Sequence, residues 1–249
     1  MQDYNIKTSS AIVTKDGSST LYSISYDQHF HSLEDGAIFE TLNKHIIPAI
    51  QYHKNKKQIN ILDICFGLGY NTFTTIYYIL QNKLDINVNI YSPELDEKLV
   101  KNLINFEYPK EFDSIKNIIN KVVTNGYYED ENFSINLYFG DARDYIKTLK
   151  NIDIVYQDAF SSDVNKELWT LEYFKDIKQI LSDDAIITTY SISTPIRLGM
   201  SENGLFIYER ILPNKRKSTL AFTKKQDIDG FVDMELKKLR NTDARSLRD

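Results

Sequence analysis

Three acidic residues stand where a bound ligand would meet them: Glu94, Asp141 and Asp158 each follow a short apolar run. The runs, near residues 86–91, 135–139 and 152–157, are rich in Ile, Val, Leu, Tyr and Phe and read as strands. Upstream of them, Asn-Ile-Leu-Asp-Ile-Cys-Phe (residues 60–66) is nearly continuous in apolar residues, as a strand buried on both faces would be. It runs into Gly67-Leu68-Gly69-Tyr70-Asn71, after which the period turns helical from Thr72 to Leu80. Glycines let the backbone pass close to a ligand, and a helix N-terminus offers unpaired N–H groups. Ligands of open parallel sheets lie beyond the carboxyl ends of the strands, so the three acids converge with Gly67 and Gly69 on one edge. Glu94, at the tip of the second strand, is placed to accept hydrogen bonds from ribose hydroxyls. Asp96, just beyond it, reads as a helix cap. Asp141 suits a helix N-cap or a contact to an adenine amino group, and the two roles are compatible. Asp158, at the end of the fourth strand, is the third acid on this edge.

These residues need a scaffold. A fifth strand is predicted at 185–190, and a closing antiparallel pair at 205–208 and 219–222, with helices near 95–105, 111–121, 165–181 and 194–201 between strands. Ahead of the core, Ala11-Ile12-Val13-Thr14 and the run 19–24 flank Lys15-Asp16-Gly17-Ser18, a hairpin signal. A helix over about 38–53 follows. The chain divides into a hairpin-and-helix extension (1–55), a core (56–226) and a charged helical tail (227–249). The fold class is α/β: a Rossmann-like, mostly parallel sheet finished by an antiparallel pair.

Bulk properties narrow the function. The 249 residues suffice for one large α/β domain, and 42% hydrophobic with 26% charged residues is a globular profile. No apolar run approaches the roughly 20 residues of a membrane span, and the N-terminus lacks a basic-then-apolar leader, so a cytoplasmic protein is expected. The one cysteine, Cys65, excludes an internal disulfide and reads as a small core residue within the first strand. His29 and His31 alternate as on a strand, but two histidines alone make a poor metal site and read as loop or surface residues. No metal is expected. A net charge of −5 gives no global field for nucleic acid, although a local basic patch can suffice.

The glycine turn lacks the third glycine of a dinucleotide-binding turn and the Gly-Lys-Ser/Thr ending of a P-loop. With an antiparallel finish, the order of elements resembles class I S-adenosylmethionine (SAM) methyltransferases. A closer resemblance lies in Phe66-Gly67-Leu68-Gly69-Tyr70-Asn71, Gln157-Asp158-Ala159-Phe160, Asn165-Lys166-Glu167-Leu168-Trp169-Thr170, Asp16-Gly17-Ser18-Ser19-Thr20-Leu21-Tyr22 and Asn214-Lys215-Arg216-Lys217. These are similar to the signature of the MnmC-type methyltransferase domain over roughly residues 10–225. Leu68 and Tyr70 replace smaller residues of that pattern, and Ser218 ends its basic run. The resemblance implies SAM-dependent methylation of the primary amine of 5-aminomethyl(-2-thio)uridine at the tRNA wobble position. It further implies SAM binding by Gly67, Gly69, Asn71, Glu94, Asp141 and Ala142, with Glu40 at SAM or the amine and Asp158 orienting the amine or taking its proton. Phe30, Phe160 and Tyr190 would wall the methyl site or stack on a flipped base, or else belong to the core. Arg197, Lys215, Arg216 and Lys217 would contact tRNA phosphates, or the last three form a solvated turn. A stand-alone methyltransferase is implied, with a separate FAD-dependent oxidase or other upstream wobble-modifying enzymes as partners. Three other readings are an aminopropyltransferase resembling spermidine synthase, another small-amine methyltransferase, and a non-catalytic tRNA-binding protein on this fold.

Overall fold

A computed structural model describes residues 11–249. Two small antiparallel pairs open it: β1 (Ile12–Val13) on β2 (Ser19–Thr20), and β3 (Tyr22–Ser23) on β4 (Gln28–His29). In the first turn Gly17 takes φ +83°, and the Asp16 carboxylate accepts from the Ser18 N–H and hydroxyl. The hairpin signal thus acts through the chemistry that suggested it. A helix follows as α1 (Ala37–Glu40), a π-helical stretch over Thr41–Ile46, and α2 (Ile47–Tyr52).

The core strands are β5 (Gln58–Ile64), β6 (Asn87–Glu94), β7 (Tyr127–Glu129), β8 (Phe133–Phe139), β9 (Ile152–Gln157), β10 (Leu181–Thr189), β11 (Phe206–Ile211) and β12 (Lys217–Phe222). They form one sheet in the order β11-β12-β10-β9-β5-β6-β8-β7. The five strands from β10 to β8 run parallel, and β12, β11 and β7 are antiparallel to their neighbours. The edge strand β7 was not expected: three residues between polar neighbours leave little period to read.

Helices α3 (Tyr70–Gln81), α4 (Glu97–Asn102), α5 (Lys116–Asn125), α6 (Ala142–Ile146), α7 (Leu171–Ile180), α8 (Thr194–Glu202) and α9 (Met234–Arg240) complete the fold. They cover both faces, and β5 shows why its run lacks alternation. Ile59 and Ile61 enter one core with Phe73, Ile76 and Ile79 of α3, while Leu62 and Ile64 enter the other with Tyr173, Phe174 and Ile177 of α7. Both faces are dry, so apolar residues fall on both of them. From β5 the chain builds outward to β6 and β8, then returns to place β9 and β10 on the other side. The order therefore reverses between β5 and β9, where such sheets open a crevice.

The tail holds a shorter helix than the expected 227–249, because α9 ends at Arg240. Beyond it the chain folds back, with Leu247 carbonyl accepting from the Leu171 N–H and Asp249 gripping Arg143 through two bonds of 2.8 and 2.9 Å. Among the described residues no helix is long and apolar enough to cross a membrane.

Candidate active site

Beyond β5 the backbone turns sharply, with Cys65, Gly67 and Gly69 all at positive φ (+65°, +54° and +75°). A side chain at Gly69 would meet the Phe73 ring at 2.5 Å, so only glycine fits. Cys65 is not the strand residue expected. It follows β5, is strained in a conformation that L-residues rarely adopt, and lines the cleft beyond the sheet. Glu94 ends β6 and braces the turn: one carboxylate oxygen accepts from the Gly67 N–H (2.8 Å), the other from the Asp96 N–H (2.9 Å). Burial pushes its pKa up against these bonds. Asp96 caps α4 through Leu99 N–H, as expected. Asp141 caps α6 through Arg143 N–H at 2.7 Å, and it lines the cleft together with Ala142.

The cleft has a volume of about 870 Å³, within the roughly 300–1,000 Å³ of small-molecule sites. Its inner end is built around Asp158, which follows β9 across the crevice from the glycine turn. Its Oδ2 accepts from Asn71 Nδ2 at 2.9 Å, and its Oδ1 lies 3.4 Å from His45 Nε2. Burial works to raise the Asp158 pKa, but the imidazoles of His45 and His31 and the Asn71 amide outweigh it and hold the carboxyl at about 2. Asn71, expected at the cofactor, instead bridges two acids: the same Nδ2 reaches Asp63 Oδ1 at 3.2 Å. Asp63, fully buried on β5, also accepts from the Thr72 hydroxyl at 2.8 Å. Burial drives its pKa to about 7, with the nearby charges of Asp158 and Glu94 adding to the effect.

Glu40 enters from α1. It accepts from the Ser32 N–H at 2.8 Å, binds the Lys44 ammonium, and lies 3.9 Å from His31 Nδ1. His31 corrects the surface reading: it lines the cleft, and burial lowers its pKa despite the acids beside it. His29 also lines the cleft, its Nδ1 buried without a partner. His45 and Lys44 escaped the sequence reading altogether. They sit on an ordinary-looking helical stretch, and nothing local announces the π-helical turn that directs them inward; such turns gather at functional sites.

Aromatic rings form the outer wall. Phe160 stacks on Tyr26 at 4.5 Å and tilts against Phe30 at 5.1 Å, and Gln28 ties the two segments by bonding Ser161. Tyr190 lines the same cleft and donates to Ala159 carbonyl at 2.9 Å. Of the expected phosphate contacts, Arg197 is corrected: it is 1% exposed, donating to Thr219 and pairing with Glu209 at 3.1 Å. Lys215, Arg216 and Lys217 are exposed, although Arg216 pairs with Asp35 and Lys217 with Glu209.

Comparison with known proteins agrees with this geometry. A family model described as an S-adenosyl-L-methionine-dependent methyltransferase matches residues 109–224. The crystal structure of MnmC2 from Aquifex aeolicus superposes with a TM-score of 0.82 at 32% identity, over 99% of this chain and 81% of that one. An uncharacterized protein of Methanocaldococcus jannaschii is 31% identical over 218 residues, 85% of this chain and 58% of the relative. The tRNA 5-methylaminomethyl-2-thiouridine biosynthesis bifunctional protein MnmC of Campylobacter fetus is 26% identical over 172 residues, 66% of this chain and 28% of that protein. This chain thus spans little more than half of the first relative's length and about a quarter of the second's. Spermidine synthase from Thermotoga maritima, 13% identical with a TM-score of 0.54, shares the fold. The cleft suits the family's cosubstrate, with Gly67 in its lining, a carboxylate at the end of β6 and room for a nucleoside. The chain belongs to the MnmC-type family of S-adenosyl-L-methionine-dependent methyltransferases.

Proposed function

We propose that this chain methylates the primary amine of 5-aminomethyl(-2-thio)uridine at the tRNA wobble position, giving 5-methylaminomethyl(-2-thio)uridine. The observation that carries the reading is the pair of carboxylates, Glu40 and Asp158, facing the inner end of a nucleoside-sized cleft. With Lys44 their summed charge is −1 when the imidazoles are neutral, which favours a cationic guest over a hydroxyl or an acid.

The cosubstrate supplies an electrophilic methyl group on a sulfonium. Gly67, Gly69 and Glu94 would hold its methionine and ribose parts, and Asp141 and Ala142 its adenine. Asp158, held near 2, is a weak base and a strong acceptor, so its part is to fix the amine's direction rather than to keep its proton. Phe30, Phe160 and Tyr190 would wall the site against water and stack on an extruded base. The aminomethyl group would come from an earlier FAD-dependent oxidase activity or another wobble-modifying enzyme. The printed names of the MnmC relatives, which refer to tRNA 5-methylaminomethyl-2-thiouridine biosynthesis, support the substrate.

The test is incubation with methyl-labelled SAM and total tRNA from cells that accumulate the 5-aminomethyl nucleoside, followed by digestion and nucleoside identification. Label in the 5-methylaminomethyl nucleoside is expected. Label in putrescine added alongside, with none in tRNA, would replace the reading with a small-amine transferase.

A further inference from the structure

We propose that His45 is a positioning residue that receives, through Asp158, the proton a substrate ammonium must shed before it can accept a methyl group. The inference rests on the amine reading above and assigns a part of the site that this reading does not use. An alkylamine is an ammonium near neutral pH and has no lone pair to offer. One proton must therefore leave it in each turnover, and the acid that orients the amine is poorly suited to keep it.

The geometry supplies a second acceptor. His45 is 1% exposed on the π-helical stretch, with its two ring nitrogens committed to different partners. Nδ1 lies 2.8 Å from Thr188 Oγ1, and the Thr188 hydroxyl points on to the Val155 carbonyl at 3.5 Å. With that hydroxyl donating to the carbonyl, Nδ1 carries one hydrogen, which leaves Nε2, 3.4 Å from Asp158 Oδ1, as the ring nitrogen that takes up a second and gives it back. The transfer is balanced: the ammonium N–H bond breaks, the proton passes to the Asp158 carboxylate, and from there to Nε2. No electrons change hands. The imidazolium then faces a carboxylate on one side and a hydroxyl oxygen on the other, and the proton returns to water through the cleft, which His45 also lines.

The charges around the ring are compatible with this role. Asp158 faces it from the end of β9, Thr188 from β10 and the Tyr156 ring edge-on at 5.6 Å; His31 lies across the cleft, and Lys44 with its partner Glu40 shares the helix.

The test compares wild type with His45→Gln, which retains an N–H for Asp158 but cannot hold a proton, and with Thr188→Val, which frees the tautomer. His45→Gln should bind SAM and tRNA like wild type. Its kcat should fall by about 100-fold near neutral pH and recover as pH rises, so that its acid limb lies at higher pH than that of wild type. Thr188→Val should keep the limb at a shifted pH. A kcat for His45→Gln within about threefold of wild type at every pH, or a loss equal at every pH, overturns the proposal. Histidine NMR of the SAM-bound protein reads the same pair without tRNA. His45 should be the Nδ1-protonated tautomer when neutral, and its Nε2 resonance should move in Asp158→Asn. A neutral His45 in the Nε2-protonated tautomer, or one that ignores Asp158→Asn, overturns the proposal. Absent tRNA labelling by wild type would overturn the tRNA reading alone.

Discussion

At the scale of single residues the proposed function separates holding from turnover within the cleft. Glu94 braces Gly67 and Asp96 at the cosubstrate end, whereas Asp158 is bound to Asn71 and His45 at the far end. Glu94→Ala should therefore weaken SAM binding by about 1.5–3 kcal/mol, the worth of a hydrogen bond to a charged group. Asp158→Asn should leave SAM affinity unchanged and cut kcat by about 100-fold. Calorimetric titration of both variants decides; equal losses of binding would refute the division. Asp63 makes a separate prediction about stability. Its folded pKa of about 7 stands above the 3.8 of an ordinary aspartate, so the folded state binds its proton more tightly than the unfolded chain. The stability this lends is complete below pH ~4 and is lost as pH rises through ~7. Urea unfolding of wild type and Asp63→Asn at acid and alkaline pH should show a difference that shrinks or reverses by roughly 4 kcal/mol across that window. A flat difference would mean that Asp63 is ionised throughout.

At the scale of elements, the site is closed by a hairpin tied to the core through residues far along the chain. Tyr70, at the first position of α3, donates to the Ser19 carbonyl at 2.8 Å and accepts from the Ser19 N–H at 3.1 Å. This clamp sets β2 and the following segment, with Phe30 and His31, over the glycine turn. Tyr70→Phe removes both bonds from a buried position, so about 1–3 kcal/mol should be lost. Hydrogen exchange should quicken over residues 19–31 while β5 and β9 stay protected; uniform change would show that the hairpin is not a separate unit. The same element explains what was legible in the sequence. The buried strand, glycine turn and acids at the strand ends could be read because each is encoded within a few residues. Asn71, His31 and His45 took roles set by contacts made across the fold: Asn71 to Asp158 spans 87 positions, and His45 to Thr188 spans 143. Arg197 was misread for the converse reason, since a charge on a short helix signals solvent unless its partner Glu209 on β11 is known.

At the scale of the whole molecule, the proposed function asks an anionic protein to hold a polyanion. The net charge is −5, and the basic turn after β11 is partly neutralised by its own surroundings: Arg216 by Asp35 at 2.9 Å and Lys217 by Glu209 at 2.7 Å. Lys215 is exposed beside them at positive φ, at the tip of the turn. If this turn is the phosphate contact, tRNA binding should involve few charges, with log K falling against log salt by a slope no steeper than about −3, near −0.9 for each phosphate contacted. Replacing Lys215 and Arg216 together by Ala should weaken tRNA binding, reduce that slope by about 1–2 and leave SAM affinity unchanged. Asp35→Asn should act in the opposite direction, because it releases Arg216 from its carboxylate while Asn214, which also bonds Asp35, keeps an acceptor. Tighter tRNA binding by Asp35→Asn, with the slope made steeper, would place the turn against the tRNA backbone. Indifference of tRNA affinity to both variants would make the turn a solvated one and assign the phosphate contacts to another face of the molecule.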